Sequence, residues 1–163
     1  MEKDIQKSIE IYKEQLNKGD IQMAYFTLMK YIAELKALFP KEYHTGNISF
    51  GYLDYTYFPF FNQYLRNHKL RFGIVLNHNK MQFELWLMGQ NADIQNKYWD
   101  ILKHSKWNRH QTNRPRYSVL EVILENQIDF HNKKHMTEHI INRALSLSQD
   151  IQDYLERVHN ENM

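Results

Sequence analysis

Three observations predict an α+β fold. The chain opens with two stretches, residues 5–16 and 21–39, whose apolar positions recur at the helical period. Its middle, residues 70–88, switches to strict alternation, the period of a strand with one face buried. Its end, from Met136 to Val158, returns to helical spacing. Helices and strands grouped in this way, not alternating one by one, belong to α+β architectures. The expectation is an N-terminal helix hairpin, an antiparallel sheet of three to four strands and two further helices. A chain of 163 residues fits one domain, 1–163, and is long enough to bury roughly 70% of its unfolded surface.

The first helix is read from Ile5, Ile9, Tyr12 and Leu16, one stripe at i, i+4, i+7 and i+11. Gly19 suits a left-handed stop, and Asp20 is a candidate cap for the next helix. That helix carries Ile21, Ala24, Tyr25, Leu28, Ile32, Leu35 and Phe39 on one face and ends before Pro40. Ile48, Phe50 and Tyr52 alternate with Ser49, Gly51 and Leu53, which reads as a strand broken afterwards by Pro59. The segment FNQYLRN reads as a short helix.

The hairpin signal follows. Leu70, Phe72, Ile74 and Leu76 alternate with Arg71, Gly73 and Val75; Met81, Phe83, Leu85 and Leu87 alternate with Gln82, Glu84, Trp86 and Met88. A loop at Asn77–Lys80 would set Leu76 opposite Met81, Ile74 opposite Phe83 and Phe72 opposite Leu85. All eight apolar residues would share one face. The other, half-exposed face would pair Val75 with Gln82, Gly73 with Glu84 and Arg71 with Trp86. Asn91 is a plausible N-cap for a helix through Ile94, Tyr98, Ile101 and Leu102. A polar, basic connection runs from about Lys103 to Arg116. YSVLEVILE then reads as a strand from its β-branched content, although Ser118-x-x-Glu121 is also the pattern of a capping box. The last helix shows Met136, Ile140, Ala144, Leu147, Ile151, Leu155 and Val158.

Composition narrows the function classes. With no cysteine there is no disulfide, no thiolate nucleophile and no Cys-ligated metal centre. The opening MEKDIQKSIEIYKEQ has no apolar core of a signal peptide, and no stretch approaches the roughly 20 apolar residues of a membrane span. A cytoplasmic protein without a membrane partner is the expectation. The net charge of +2 is too mild to imply nucleic acid by itself. A P-loop, a dinucleotide glycine fingerprint and a Gly-x-Ser-x-Gly elbow are all missing.

Four clusters remain as candidate chemistry. In FGYLDYTYFPFF, seven of the twelve positions 50–61 are aromatic. They read either as core or as an aromatic-lined pocket whose polar groups are Asp54 and the tyrosine hydroxyls. Asp54 among them is either a turn residue or the polar centre of a site. On the second face of the hairpin Arg71, Glu84 and Trp86 cluster, as an ion pair with a cation–π contact or as part of that site. A nuclease hairpin of the Glu-x-Lys type would need a lysine where Trp86 stands. His131, His135 and His139 recur every fourth residue, and His135 to His139 matches a His-x-x-Glu-His pattern. Only 24 residues follow for a distant third ligand, so the series reads as structural and no metal or cofactor is expected. Finally Lys103, Lys106, Arg109, Arg114 and Arg116 run without an acidic residue, interleaved with Trp107 and Tyr117. That mixture suits phosphate contact with base stacking, or simply a solvated loop.

At GYLDYTYF, FELWLMGQN and IQNKYW the chain resembles a family of small bacterial proteins of unknown function. Its members share Tyr-x-Asp-x-Thr-Tyr-Phe and Phe-Glu-x-Trp-Leu-x-Gly-x-Asn elements. The resemblance covers Tyr52, Asp54, Thr56, Tyr57, Glu84, Trp86, Gly89, Asn91, Gln95, Tyr98 and Trp99. It implies that these elements form one unit around a shared pocket, and carries no activity with it.

Two functions from different classes follow as expectations. The first is a non-catalytic ligand-binding or interaction module, for a small molecule or protein, with Tyr52, Asp54, Tyr57, Arg71, Glu84 and Trp86 at its pocket. The second is a nucleic-acid-binding or nuclease-like protein using Lys103, Lys106, Arg109, Arg114 and Arg116.

Overall fold

A computed structural model describes residues 2–162, and the chain divides after Ala37 into two compact units. The first is the helix hairpin, α1 (Ile5–Lys18) and α2 (Asp20–Ala37). Asp4 starts α1 by accepting from the backbone N–H of Gln6 and Lys7 at 3.0 and 3.5 Å. Gly19, at φ 84, ends it in the left-handed conformation that glycine adopts without a Cβ penalty. Asp20 is not the cap of α2. It sits inside the first turn, where its charge suits the helix dipole, and the Gly19 carbonyl accepts the Met23 N–H. The stripe through Ile5, Ile9 and Tyr12 forms but stays exposed, whereas Leu28, Ile32 and Leu35 of α2 are buried and Ile21 is not.

The second unit is a five-stranded antiparallel meander, β1 (His44–Thr45), β2 (Tyr55–Phe61), β3 (Leu70–Asn77), β4 (Gln82–Gly89) and β5 (Leu120–Glu125), neighbouring in chain order. The helices are α3 (Gln63–Asn67), α4 (Ala92–Leu102) and α5 (Lys133–Glu161), with one 3₁₀ turn at Phe130–Asn132. One sheet face presents Phe58, Phe60, Phe72, Ile74, Leu76, Phe83, Leu85, Leu87 and Leu120, all fully buried. Buried with them are Leu65, Tyr98, Leu102 and, from α5, Met136, Ile140, Ala144, Ile151 and Leu155. Among the described residues no helix is long and apolar enough to cross a membrane.

Further expectations are corrected. The strand lies after the 48–53 segment, not in it. Gly51 and Leu53 turn left-handed at φ 71 and 63, and only Ser49 makes a bridge, to Tyr57. Pro59 does not break the next element but sits inside β2, where its carbonyl accepts the Gly46 N–H at 2.9 Å. N–H and C=O of one strand residue point the same way. The donor that Pro59 lacks would therefore face the two-residue strand β1, where the ladder is sparse.

The hairpin closes one residue further along each strand than expected. Asn77 pairs with Gln82, so Leu76 faces Phe83 and Ile74 faces Leu85. Met81 falls in the turn at φ 48 and is 40% exposed, not core. Because the slip moves both strands, every side chain keeps its face and only its partner changes. The second face is also not half-exposed: Val75, Gln82, Glu84, Trp86 and Met88 are all buried.

Candidate functional site

Pairing puts Tyr55, Tyr57, Val75, Asn77, Gln82, Glu84, Trp86, Glu121 and Ile123 on this second face. Val75, Trp86 and Met88 form a small apolar cluster, with Tyr55 and Tyr57 packed against it. Tyr55 meets Trp86 edge to face at 4.8 Å. At its centre stands Glu84, 4% exposed. Its Oε2 accepts from Asn77 Nδ2 at 3.0 Å and Gln82 Nε2 at 2.6 Å; its Oε1 accepts from Trp86 Nε1 at 2.9 Å. A buried carboxylate is costly unless hydrogen bonds or a cation satisfy it. Here neutral donors do it, and among the described residues no cation pairs with it. Three of its roughly four acceptor positions are filled, so its orientation is fixed. Asn77 is fixed in turn, its Oδ1 accepting the Lys80 N–H at 3.2 Å.

Glu121 faces Trp86 across the β4–β5 ladder, diagonal to Glu84. Ser118 Oγ donates to its Oε1 at 2.9 Å, so the Ser-x-x-Glu spacing that resembled a helix cap instead anchors a strand carboxylate. Desolvation raises the Glu121 pKa, and the Glu84 charge adds to it; Ser118 and Lys80 act the other way. The rise persists although Glu121 is exposed to water.

The two acids line an open cleft of about 400 Å³. Its cations are Lys80, Lys106 and Arg143, and its apolar wall is Trp107, Val122 and Ile123. None of these cations makes an ion pair with either glutamate among the described residues. An adjoining groove shares Gln111 and Glu121 and adds Asp54, Tyr55, Arg116 and Tyr117.

The structure thus brings together only part of the expected set. Glu84 lines the cleft, Trp86 beside it on the same strand donates to its carboxylate, and Tyr57 packs against the apolar cluster. Asp54 is a turn residue: its Oδ1 accepts from the N–H of Tyr52 and Tyr55 at 2.8 and 2.7 Å, which lowers its pKa. It reaches the site only through the adjoining groove. Tyr52 is 95% exposed and lines neither space. Arg71 pairs with Met88 instead of Trp86, so it lies toward the far end of the hairpin and meets neither Glu84 nor the cleft.

Two members of the basic segment are engaged within the protein. Lys103 pairs with Asp100 at 3.3 Å, and Arg114 is spent on the carbonyls of Pro115, Arg116 and Ser118 and on Asn96. Lys106 lies over Trp107, Arg116 over Tyr117, and Arg109 is exposed. Of the histidine series, His139 faces Glu125 at 3.6 Å, and no group of three metal-ligating side chains comes together among the described residues.

Glu121, Gln82 and Asn77 are the members that sequence reading passes over, and Trp107, expected beside the basic residues, lines the cleft. Glu121 had a signal: in a strand through Leu120, Val122 and Leu124, it must point away from them. Neither a curated protein nor a solved structure matches the chain. A family model matches residues 5–155, and the chain therefore belongs to the DUF7000 family, a domain of unknown function.

Proposed function

We propose that the domain is a non-catalytic small-molecule-binding module, and that its ligand is a zwitterion of amino-acid type seated in the Glu84–Glu121 cleft. The observation that carries this reading is the cleft's charge arrangement. A fixed, buried carboxylate and a second acid share about 400 Å³ with three cations, yet opposite charges do not neutralise each other directly. A ligand with an ammonium at one end and a carboxylate at the other would satisfy both sets. Its apolar part would lie against Trp107, Val122 and Ile123. Binding is favoured because Glu84 is already held by three N–H donors, and among the described residues the lining holds no serine, threonine or cysteine. A nuclease-like role fits less well, because N–H donors already occupy most of the Glu84 lone pairs that a metal would need.

The test is a thermal-shift and calorimetric titration with the free amino acids. A ligand at 100 times its Kd should stabilise the protein by about 2.7 kcal/mol. Glu121→Gln should weaken the ammonium end, and Lys106→Gln the carboxylate end, each by about tenfold. If no amino acid raises the melting temperature, or if des-amino analogues bind as well, the reading is wrong.

A further inference from the structure

Arg71, displaced from the expected pocket, belongs to a second cleft. α3 ends at Asn67, and a two-residue joint, His68–Lys69, leads straight into β3. Lys69 is left-handed at φ 58, with its N–H bonded to the Arg66 carbonyl and its own carbonyl accepting from Gln90 N at 3.0 Å. This reversal folds Arg66, Lys69 and Arg71 around one opening of about 320 Å³, completed by Phe61, Leu70 and Gln90. Among the described residues no acidic side chain lines it. Among the described residues none of the three cations makes an ion pair.

The backbone beneath them is well held. Asn62 caps α3 by accepting the Leu65 N–H at 3.0 Å, and Leu65 and Leu70 are buried on either side of the joint. Arg66 lies 6.0 Å from the Phe61 ring centre, and one Arg71 nitrogen reaches the Tyr57 hydroxyl at 3.5 Å. Among the described residues, most of the guanidinium donors on both arginines have no protein acceptor. Three like charges lining one opening repel one another, which a bound anion would relieve. The paired N–H forks of two arginines match tetrahedral oxyanions bidentately, and Lys69 adds a point charge.

We propose that this cleft binds the phosphoryl group of a small phosphate compound. The proposal is independent of the Glu84 cleft, since it shares no lining residue with it.

The experiment titrates the full chain with inorganic phosphate and with glycerol phosphate, at constant ionic strength set by chloride. The readouts are melting temperature and the NMR signals of Arg66, Lys69, Arg71 and Gln90. Saturable shifts at these residues with either probe are expected, and response to the ester alone would identify an ester as the ligand. Arg66→Gln with Arg71→Gln should weaken binding at least tenfold. Lys69→Gln, which leaves both arginine contacts in place, should weaken it less. The inference is overturned if neither phosphate probe acts differently from chloride. It is equally overturned if the double variant binds as wild type, or if a short single-stranded oligonucleotide binds these residues while both phosphate probes do not.

Discussion

At the scale of single residues, Glu84 explains why side chains far apart in chemical type are needed together. Its charge is held by two amides and an indole, and each donor is itself buried or fixed. Gln82 shows the consequence. On a wet sheet face Gln82→Ala would cost under about 0.5 kcal/mol. Buried and donating to a carboxylate at 2.6 Å, it should instead cost about 1.5–3 kcal/mol, read from urea melts. A loss below 0.5 would mean that water already reaches Glu84. Glu121 gives a pH signature. Its pKa is raised in the folded state, so between the ordinary carboxylate value and the raised one the native state holds more proton than the unfolded state. Stability therefore falls as pH rises through that window. Glu121→Gln should melt higher than wild type at neutral pH, with the difference vanishing below about pH 4.

At the scale of elements, the hairpin turn and the end of α5 each set a testable geometry. Met81 adopts φ 48 at the close of the β3–β4 turn, a conformation that costs a side-chain-bearing residue about 1–2 kcal/mol. Glycine removes that strain and adds about 0.5–1 kcal/mol of chain entropy to the unfolded state. Met81→Gly should therefore be neutral to stabilising by about 1 kcal/mol, whereas a core methionine would have cost several. The end of α5 is tied by His159, whose Nδ1 lies 2.7 Å from the Tyr64 hydroxyl and whose Nε2 lies 3.3 Å from that of Tyr98. His68 stacks on it at 4.5 Å. Burial, then the charges of His68 and Lys97, lower the His159 pKa. A lowered histidine leaves the unfolded state with more proton, so its stabilisation is full above about pH 6.5 and is lost as pH falls below that. His159→Gln should flatten this decline in melts between pH 7 and 5.

At the scale of the whole molecule, the division after Ala37 bears on cooperativity. Trp86, Trp99 and Trp107 all lie in the second unit, while helical circular dichroism reports both. We propose that the chain unfolds as one domain, in which case tryptophan fluorescence and circular dichroism should give the same urea midpoint. An earlier helical transition would show that the hairpin unfolds by itself.

Periodicity alone determined that the chain is α+β, where α1, α2, α4, α5 and the β3–β4 hairpin lie, and that Glu84 and Trp86 share a face. Side-chain period is a local property, and a hairpin that slips by one residue in both strands preserves it. What only tertiary structure decided depends on groups distant in sequence. The Asn77–Gln82 closure sets the register, the sparse neighbour strand admits Pro59 into β2, and burial of the second face converts Gln82 and Trp86 from surface residues into donors for Glu84. Arg71 moved for the same reason: one changed pairing, with Met88 in place of Trp86, carried it from the acidic site to the cationic one. A sequence shows which way a strand residue points, but what stands opposite it is set by the partner strand and by the chain that covers the sheet.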